Sequence, residues 1–357
     1  MEQRRYLITG AQGFVGRYLT ALILESDRTA EVLGVGRSGR LDGYFTHSIS
    51  LGSRRVPAPL PEAIRSSLDR RFSYTQVSLL ETGRLRNLLN SFQPQCIFHL
   101  ASALSSAQDR DLLRSNVAGT ASLMDAVSEA RIQGTLVIVG SSSGVYGEIG
   151  SPPIPESAPC SPGDIYSATK LAAEHVTRIK AGHGGFAFIN ARIFNIVGPG
   201  QMESHVCGRF AAQLASPTSP SLSVLKVGRL STTRDFIDVR DVADALLLLS
   251  QSGKPGGTYN VASGRETPIH FVLTELIRLS GWTGQVETAD ERQADIMRHF
   301  ADIGRLEQLG FAARYPISAS LEDVLRYYRE SSSQPALTRE RQAYPDAPPI
   351  SLRARSL

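Results

Sequence analysis

The sequence predicts an α/β fold in which a doubly wound parallel sheet is followed by a smaller C-terminal α/β domain. Over the first 190 residues, short apolar runs alternate with segments of helical periodicity, which is the pattern of βαβ units. A glycine-rich turn joins the first apolar run to the first helical segment. Beyond about residue 190 the alternation loosens, which indicates a second unit, and 357 residues are enough for two.

The predicted elements of the larger unit follow one another as strand and helix. Strands are expected at residues 5–9, 31–35, 72–77, 95–100, 136–139 and 186–192. Helices are expected at residues 14–24, 81–90, 111–130 and 166–181, with a later one at 207–214. Residues 39–70 are rich in Gly, Pro, Ser and Arg, and they predict an irregular excursion at the edge of the sheet.

Composition excludes several classes of protein. Apolar residues make up 41% and charged residues 20%, which is ordinary for a globular chain. No apolar run approaches the roughly 18 residues of a membrane helix, and the N-terminal residues lack a signal-peptide pattern. The three cysteines are far apart and predict neither a disulfide nor a metal site. The net charge of +4 is small and does not by itself indicate binding to nucleic acid. Together, these observations predict a cytoplasmic protein that binds no nucleic acid, membrane or metal.

The turn after the first strand, with the sequence TGAQGFVG, predicts a dinucleotide site. Gly10 permits the tight turn, Gly13 lets a pyrophosphate approach the backbone, and Gly16 lets the helix pack closely on the sheet. The phosphates then meet free N–H groups at the start of the helix. The cofactor-binding residues predicted in this loop are Gly10, Gln12, Gly13, Phe14, Val15 and Gly16.

The end of the second strand favours NADP over NAD. In NAD-binding proteins an acidic residue usually follows this strand and binds the ribose hydroxyls. Here Arg37, Ser38 and Arg40 follow it, and no carboxylate occurs before Asp42. Because a guanidinium suits the 2′-phosphate, these residues are predicted to bind NADP, with NAD as the less favoured alternative.

Tyr166 and Lys170 form a candidate acid–base pair. At positions i and i+4 of a predicted helix they lie on one face, and the chain contains only four lysines. A phenol has an ordinary pKa of about 10, which a nearby ammonium group lowers. Ser142, in the run GSSSGVYG after the fifth strand, can hold a substrate oxygen beside the phenol.

Taken together, these motifs resemble those of the extended short-chain dehydrogenase/reductases, the NAD-dependent epimerase/dehydratase family. The motifs TGxxGFVG, SSSxVYG and YxxxK occur in the order found in the family. The further runs HLASA, NVAGT, FNIVGPG and RDFIDVRD extend the match, which covers about residues 5–330. The resemblance implies an NADP-binding Rossmann domain, a nucleotide-sugar substrate, and a homodimer joined by a four-helix bundle.

The same resemblance implies the domain limits. The Rossmann domain is expected to contain residues 1–190 and about 235–262. The nucleotide-sugar domain is expected to contain about 191–234 and 263–330. Residues 331–357 are polar, contain prolines and many arginines, and are expected to be a mobile C-terminal tail.

The family's roles carry over to matching positions of this chain. Tyr166 is implied to be the acid/base, Lys170 to lower its pKa and bind the nicotinamide ribose, and Ser142 to hold the reacting oxygen. Asn116 is implied to support a water relay to the lysine. Further implied cofactor contacts are Leu79, Leu100, Ala101, Ser102 and Tyr166. The candidate substrate contacts besides Ser142 are Asn195, Arg209, Arg234, Arg292 and Asp295.

Two reactions of the family stay open at this stage. Its 4,6-dehydratases carry an acid pair after the catalytic hydroxyl, where this chain has Ser143 and Gly144, so dehydration is not expected. A 4-ketoreductase would reduce a GDP- or dTDP-linked 4-keto-6-deoxyhexose with NADPH. A 4-epimerase would oxidise and re-reduce a sugar of the UDP-glucose type. Arg37 favours the reductase, and the motifs of residues 194–241 most resemble those of GDP-4-keto-6-deoxy-mannose reductases.

A protein of another class, a non-catalytic NADP sensor on the same fold, is the third hypothesis. Such proteins usually lack the tyrosine or the lysine of the YxxxK motif, and this chain retains both Tyr166 and Lys170. The sequence therefore favours an enzyme.

Overall fold

The computed structural model of this protein describes residues 4–39, 41–51, 54–215, 224–288 and 296–332. The strands in these ranges are β1 (Arg5–Thr9), β2 (Glu31–Gly36), β3 (Tyr44–Leu51), β4 (Arg54–Pro59), β5 (Phe72–Gln76), β6 (Cys96–His99), β7 (Leu136–Ser142), β8 (Ala187–Ile193), β9 (Asn195–Val197), β10 (Val224–Val227), β11 (Thr233–Asp238), β12 (Thr258–Val261), β13 (Glu266–Pro268), β14 (Gln285–Thr288) and β15 (Arg298–His299).

The α-helices of the same ranges are α1 (Phe14–Ser26), α2 (Glu62–Arg65), α3 (Thr82–Phe92), α4 (Asp109–Leu112), α5 (Gly119–Ala130), α6 (Ile165–Gly184), α7 (Val206–Ala215), α8 (Val239–Ser252), α9 (Ile269–Ser280), α10 (Gly304–Glu307) and α11 (Ile317–Ser331). A π-helical segment, Leu113–Ala118, joins α4 to α5, and a 3₁₀ turn, Ser143–Tyr146, follows β7. No helix of the described ranges is long and apolar enough to cross a membrane.

A seven-stranded parallel sheet, in the order β12-β8-β7-β6-β1-β2-β5, confirms the predicted fold class. The strand order reverses between β1 and β6, which leaves a crevice at the carboxyl ends of these strands. Thr9 of β1 pairs in register with Val35 of β2 and His99 of β6, and His99 pairs with Val139 of β7. The segments that follow these four strands therefore lie along one edge of the sheet.

Burial explains why the central strands read as continuous apolar runs. Val137, Ile138 and Val139 of β7 are all buried, as expected for a parallel sheet with helices on both faces. Helices α3 and α5 pack together on one face, while α1 and α8 pack together as a second pair. Helices thus cover the faces of the large sheet, and a ligand can approach it at the ends of its strands.

Residues 39–70 were predicted to be irregular, and this was wrong. Strands β3 and β4 pair antiparallel and are followed by the single-turn helix α2. Phe45 and Ile49 of β3 and Val56 of β4 are buried in the main core, so tertiary packing orders a segment of weak local signal. Pro57 is tolerated because β4 belongs to a two-stranded sheet and leaves one edge without a strand neighbour.

The C-terminal part of the chain forms smaller sheets. Strand β11 pairs with β9, β13 and β15, and β10 pairs with β14. The predicted domain boundary at about residue 235 falls inside β11. Beyond it, α8 packs on α1, and β12 is an edge strand of the large sheet. The division into two domains stays a prediction. Helix α11 ends at the buried Ser331, so the predicted tail does not begin there, and residues 333–357 lie outside the described ranges.

Candidate active site

The loop between β1 and α1 has the shape that a dinucleotide requires. Gly10 has a φ of +71°, and a Cβ there would lie 2.9 Å from the backbone of Ala101. A Cβ on Gly16 would lie 2.3 Å from the Gly10 carbonyl oxygen. Gly13 caps α1 without a side-chain hydrogen bond, and the first turn contains no acidic residue. The first-turn N–H groups, including those of Phe14 and Val15, therefore fit an anionic group such as a pyrophosphate.

The end of β2 presents an arginine rather than a carboxylate. The Arg37 side chain is exposed, and its backbone carbonyl accepts a hydrogen bond from Gln76 at 2.9 Å. The carbonyl of Ser38 accepts from the Tyr74 hydroxyl at 2.7 Å. Asp42, the first carboxylate after the strand, accepts from the Tyr44 N–H at 3.1 Å. The backbone at this position is thus held in place while the Arg37 guanidinium faces solvent. Arg40 lies outside the described residues.

The predicted cofactor contacts after β6 lie beside the loop. The Ala101 N–H donates to Thr9 Oγ1 at 3.1 Å, which ties the segment after β6 to the end of β1. Leu100 packs against Gly140, where a Cβ would be 3.0 Å from the leucine side chain. Leu79, which is partly buried, packs against Gly119 at the start of α5. The structure therefore brings Leu100 and Ala101 to the loop.

Asn116 lies in the π-helical segment, and its side chain makes hydrogen bonds with residues of two other segments. Its Oδ1 accepts from the Ser102 hydroxyl at 3.0 Å and from the Ala103 N–H at 2.7 Å. Its Nδ2 donates to Thr169 Oγ1, on α6, at 3.0 Å. Single-turn π-helical bulges often occur at functional sites because they redirect a side chain. Here the bulge joins the segment after β6 to the helix that carries the YxxxK motif.

Lys170 is buried next to the hydrogen bonds that Asn116 makes. Its Nζ donates to the Ser102 hydroxyl at 3.4 Å. Burial lowers the pKa of Lys170 to about 8, against the opposing effect of the Glu174 charge. The lysine therefore exchanges a proton closer to neutral pH than a solvated lysine does.

Tyr166 is positioned by the start of α6. Asp164 caps this helix and accepts from the Ser167 N–H at 2.8 Å, which places Tyr166 in the first turn. Burial raises the pKa of Tyr166, a hydrogen bond with the Ser142 side chain opposes this, and the Asp164 charge adds to the rise. This direction differs from the expected lowering by Lys170, because burial outweighs the opposing interaction with Ser142; the lysine Nζ donates to Ser102. The structure does bring the phenol and the Ser142 hydroxyl together.

A buried ion pair that the sequence analysis missed lies behind these residues. Arg192 of β8 makes two hydrogen bonds with the Glu174 carboxylate, at 3.0 and 2.8 Å, and both side chains are buried. Glu174 also accepts a hydrogen bond from the Ser141 hydroxyl, next to Ser142. Glu174 follows Lys170 by four residues on α6, so the helical spacing was an available signal. The pair joins α6 to the ends of β7 and β8.

The space at Gly144 supports the exclusion of a dehydratase acid pair. A Cβ on Gly144 would lie 2.3 Å from the Ser167 hydroxyl oxygen, and that hydroxyl donates to Asp164 at 3.0 Å. A carboxylate side chain at this position would require the Ser167 hydroxyl to move and to give up its hydrogen bond with Asp164.

The substrate-binding residues predicted on the small sheet lie on neighbouring strands. Asn195 of β9 donates to the Asp235 carbonyl at 3.1 Å, and Arg234 of β11 donates to the Ile296 carbonyl at 2.8 Å. Arg209 is exposed and donates to the Glu203 carbonyl at 3.3 Å, so it is turned toward the preceding loop. Arg292 and Asp295 lie outside the described residues.

His299 is a candidate that no sequence motif indicated. It pairs with Arg234 in the small sheet, and its ring lies 5.3 Å from the Phe194 ring. Its buried Nε2 has no hydrogen-bond partner among the described residues. Burial and the Arg234 charge lower the pKa of His299 to about 4, although a hydrogen bond with the Ser143 backbone opposes them, so the imidazole is neutral. No group of three His, Cys, Asp or Glu side chains in the described ranges could hold a metal ion.

Comparison with known proteins first defines the class. Residues 6–262 match the NAD dependent epimerase/dehydratase family. The chain therefore belongs to this family, the extended short-chain dehydrogenase/reductase enzymes that its motifs predicted.

Two related proteins and one solved structure show which enzymes of the family this chain is similar to. The GDP-6-deoxy-D-mannose reductase of Pseudomonas aeruginosa is 30% identical over an alignment that covers 90% of this chain and 96% of that protein. A UDP-glucose 4-epimerase of Mycolicibacterium smegmatis is 27% identical, with 92% of this chain and 99% of that protein covered. The solved structure of RMD from Pseudomonas aeruginosa complexed with NADPH is 27% identical and has a TM-score of 0.75, covering 92% of this chain and 99% of that chain. The chain is thus similar to both reductases and epimerases of nucleotide sugars.

Proposed function

We propose that this protein is an NADPH-dependent 4-ketoreductase of a GDP- or dTDP-linked 4-keto-6-deoxyhexose. NADPH, when bound, supplies the hydride that adds to C4 of the sugar. Tyr166 donates a proton to the C4 oxygen, so that the ketone becomes an alcohol. The position of the Tyr166 phenol beside the Ser142 side chain, which acts to lower the pKa of the phenol, carries the proposal, because a ketone oxygen placed beside both hydroxyls can accept from each.

Lys170 is proposed to restore the proton that Tyr166 gives up. Its pKa of about 8 allows proton exchange near neutral pH, and its Nζ contacts Ser102. Ser102 in turn donates to Asn116, which forms a polar connection from the lysine to the π-helical bulge. On the substrate side, Asn195 and Arg234 are proposed to bind the diphosphate. Arg292 and Asp295 stay predictions.

Two observations favour reduction over epimerisation. An epimerase returns the hydride that it removed, whereas a reductase must exchange its cofactor in every turnover and draws on the NADPH pool. Arg37 follows β2 and is exposed, and its guanidinium suits a 2′-phosphate. The similarity to a GDP-6-deoxy-D-mannose reductase and to a structure complexed with NADPH points the same way. A UDP-sugar 4-epimerase is the second candidate, because such enzymes are also similar to this chain.

The decisive assay follows NADPH absorbance with freshly prepared GDP-4-keto-6-deoxy-mannose and its dTDP-glucose-derived counterpart. We expect stoichiometric NADPH oxidation and formation of a 6-deoxyhexose alcohol with one of them. Parallel incubations with UDP-glucose and UDP-galactose, without added cofactor, should leave both sugars unchanged. Interconversion of these two sugars with no net NADPH oxidation would contradict the proposed reductase activity and support a 4-epimerase activity.

Replacing Arg37 with alanine should weaken NADPH binding selectively. A hydrogen bond to a charged group is worth about 1.5–3 kcal/mol, which corresponds to a loss of about tenfold or more in NADPH affinity. NADH lacks the 2′-phosphate, so its affinity should change little. Fluorescence titration of both cofactors measures the two dissociation constants. Arg65→Ala, which removes another exposed arginine paired with Glu62 on α2, serves as the control. Equal losses for NADPH and NADH would contradict a contact with the 2′-phosphate.

The predicted assembly and location are kept as proposals. Helices α5 and α6 pack against each other, and Ile179 of α6 and Leu113 of the π-helical segment are exposed apolar side chains. Such a surface fits the proposed homodimer through a four-helix bundle. The cytoplasmic location stays a prediction.

A further inference from the structure

Arg17 is a fully buried cation directly behind the dinucleotide loop. It follows Gly16 in the first turn of α1, and none of its surface is exposed. Its Nη2 donates to Gln12 Oε1 at 2.9 Å and to the backbone carbonyls of Asp42 and Tyr44 at 3.2 and 3.1 Å. Its Nε and Nη1 have no hydrogen-bond partner among the described residues. Two buried donor atoms of Arg17 are therefore not satisfied by the described residues.

Among the described residues, no carboxylate pairs with Arg17. The buried Arg192, by contrast, makes two hydrogen bonds with Glu174. Burial lowers the pKa of Arg17, and the Asp42 charge opposes this. The Asp42 carboxylate, however, is exposed and accepts from the Tyr44 N–H. A buried cation without such a partner is costly, and an anion bound close by would reduce the cost.

Arg17 also determines where the segment after β2 lies relative to the loop. By holding the carbonyls of Asp42 and Tyr44, it fixes the start of β3. The next residue, Phe45, packs edge-on against Phe14 at 5.9 Å, and Phe14 belongs to the dinucleotide loop. Arg17 thus contacts the loop directly through Gln12 and indirectly through the start of β3.

We propose that Arg17 is a positioning residue of the cofactor site, which orders the loop through Gln12 and supplies buried positive charge that the dinucleotide phosphates neutralise. The inference rests on the proposed function, because it requires the loop to bind a nicotinamide dinucleotide. Both NADPH and NADH contain the pyrophosphate. Arg17 therefore contributes to the affinity for both cofactors, whereas Arg37 distinguishes between them.

The test is cofactor binding to purified Arg17→Met enzyme, measured by fluorescence titration with NADPH and with NADH. We expect both dissociation constants to rise at least tenfold while their ratio stays close to that of the wild type. Arg17→Lys should lie between the wild type and Arg17→Met, because it keeps the charge but cannot reach all three acceptors. Arg17→Gln, which removes the charge but keeps a donor, decides the question if Arg17→Met fails to fold.

Arg71→Met is a matched control at the other end of α1. Arg71 donates to the carbonyls of Leu24 and Asp27, both at 2.8 Å, and pairs with Asp69. Its loss should lower stability toward urea without changing either dissociation constant. Wild-type affinity of a folded Arg17→Met or Arg17→Gln variant for both cofactors would overturn the inference, as would a loss confined to NADPH. Failure of the wild type to bind either cofactor would instead contradict the proposed function itself.

Discussion

Replacing Tyr166 with phenylalanine should lower the turnover number by about 100-fold or more while leaving cofactor affinity nearly unchanged. The substitution removes only the hydroxyl, which lies beside Ser142, and keeps the aromatic ring. Positioned acid–base catalysis typically contributes between about 10² and 10⁴ in rate. Steady-state kinetics with the ketosugar, together with NADPH titration, give both quantities.

Tyr146→Phe is the matched control for this experiment. Tyr146 is also a buried phenol close to the site, but its hydroxyl donates to Asn260 at 2.7 Å. Its loss leaves the buried Asn260 Oδ1 without this donor, so it should cost about 1–3 kcal/mol of stability and should change turnover much less. A wild-type turnover number for the Tyr166→Phe enzyme would show that Tyr166 is not the proton donor.

Replacing Glu174 with leucine should destabilise the protein by about 3–5 kcal/mol, since it leaves the Arg192 guanidinium buried without its partner. It also removes the acceptor of the Ser141 hydroxyl. A Glu174→Leu/Arg192→Met double variant replaces both charges by apolar groups and should recover most of the loss. Urea unfolding at equilibrium measures the free energy of unfolding of each variant.

Asp125→Asn is the control for the ion pair. Asp125 pairs with Lys180, which lies on α6 like Glu174, but both side chains of this pair are more than one-third exposed. An exposed pair is worth at most about 1 kcal/mol, so this variant should stay close to the wild type. A Glu174→Leu variant no less stable than Asp125→Asn would show that the buried pair does not hold α6 against the sheet.

Local patterns in the sequence were sufficient for the fold class and for the chemical groups of the site. The apolar runs of β1, β2 and β7 are buried strands because they lie in the middle of a parallel sheet. Tyr166 and Lys170 share a face of α6 because helical spacing is a local property, and Gly16 is required by close contacts with the backbone of Gly10 and Ala11. Such features depend on neighbours along the chain, so motif spacing predicts them.

Only the tertiary structure decided how distant parts of the chain meet. The Lys170 ammonium group contacts Ser102, which is 68 residues away, rather than lowering the pKa of Tyr166 as the motif had suggested. The hairpin of β3 and β4 is ordered by burial of residues such as Phe45, although its composition indicated an irregular segment. The unpaired charge of Arg17 also depends on which distant segments surround it. These properties follow from burial and long-range contacts, which sequence periodicity does not encode.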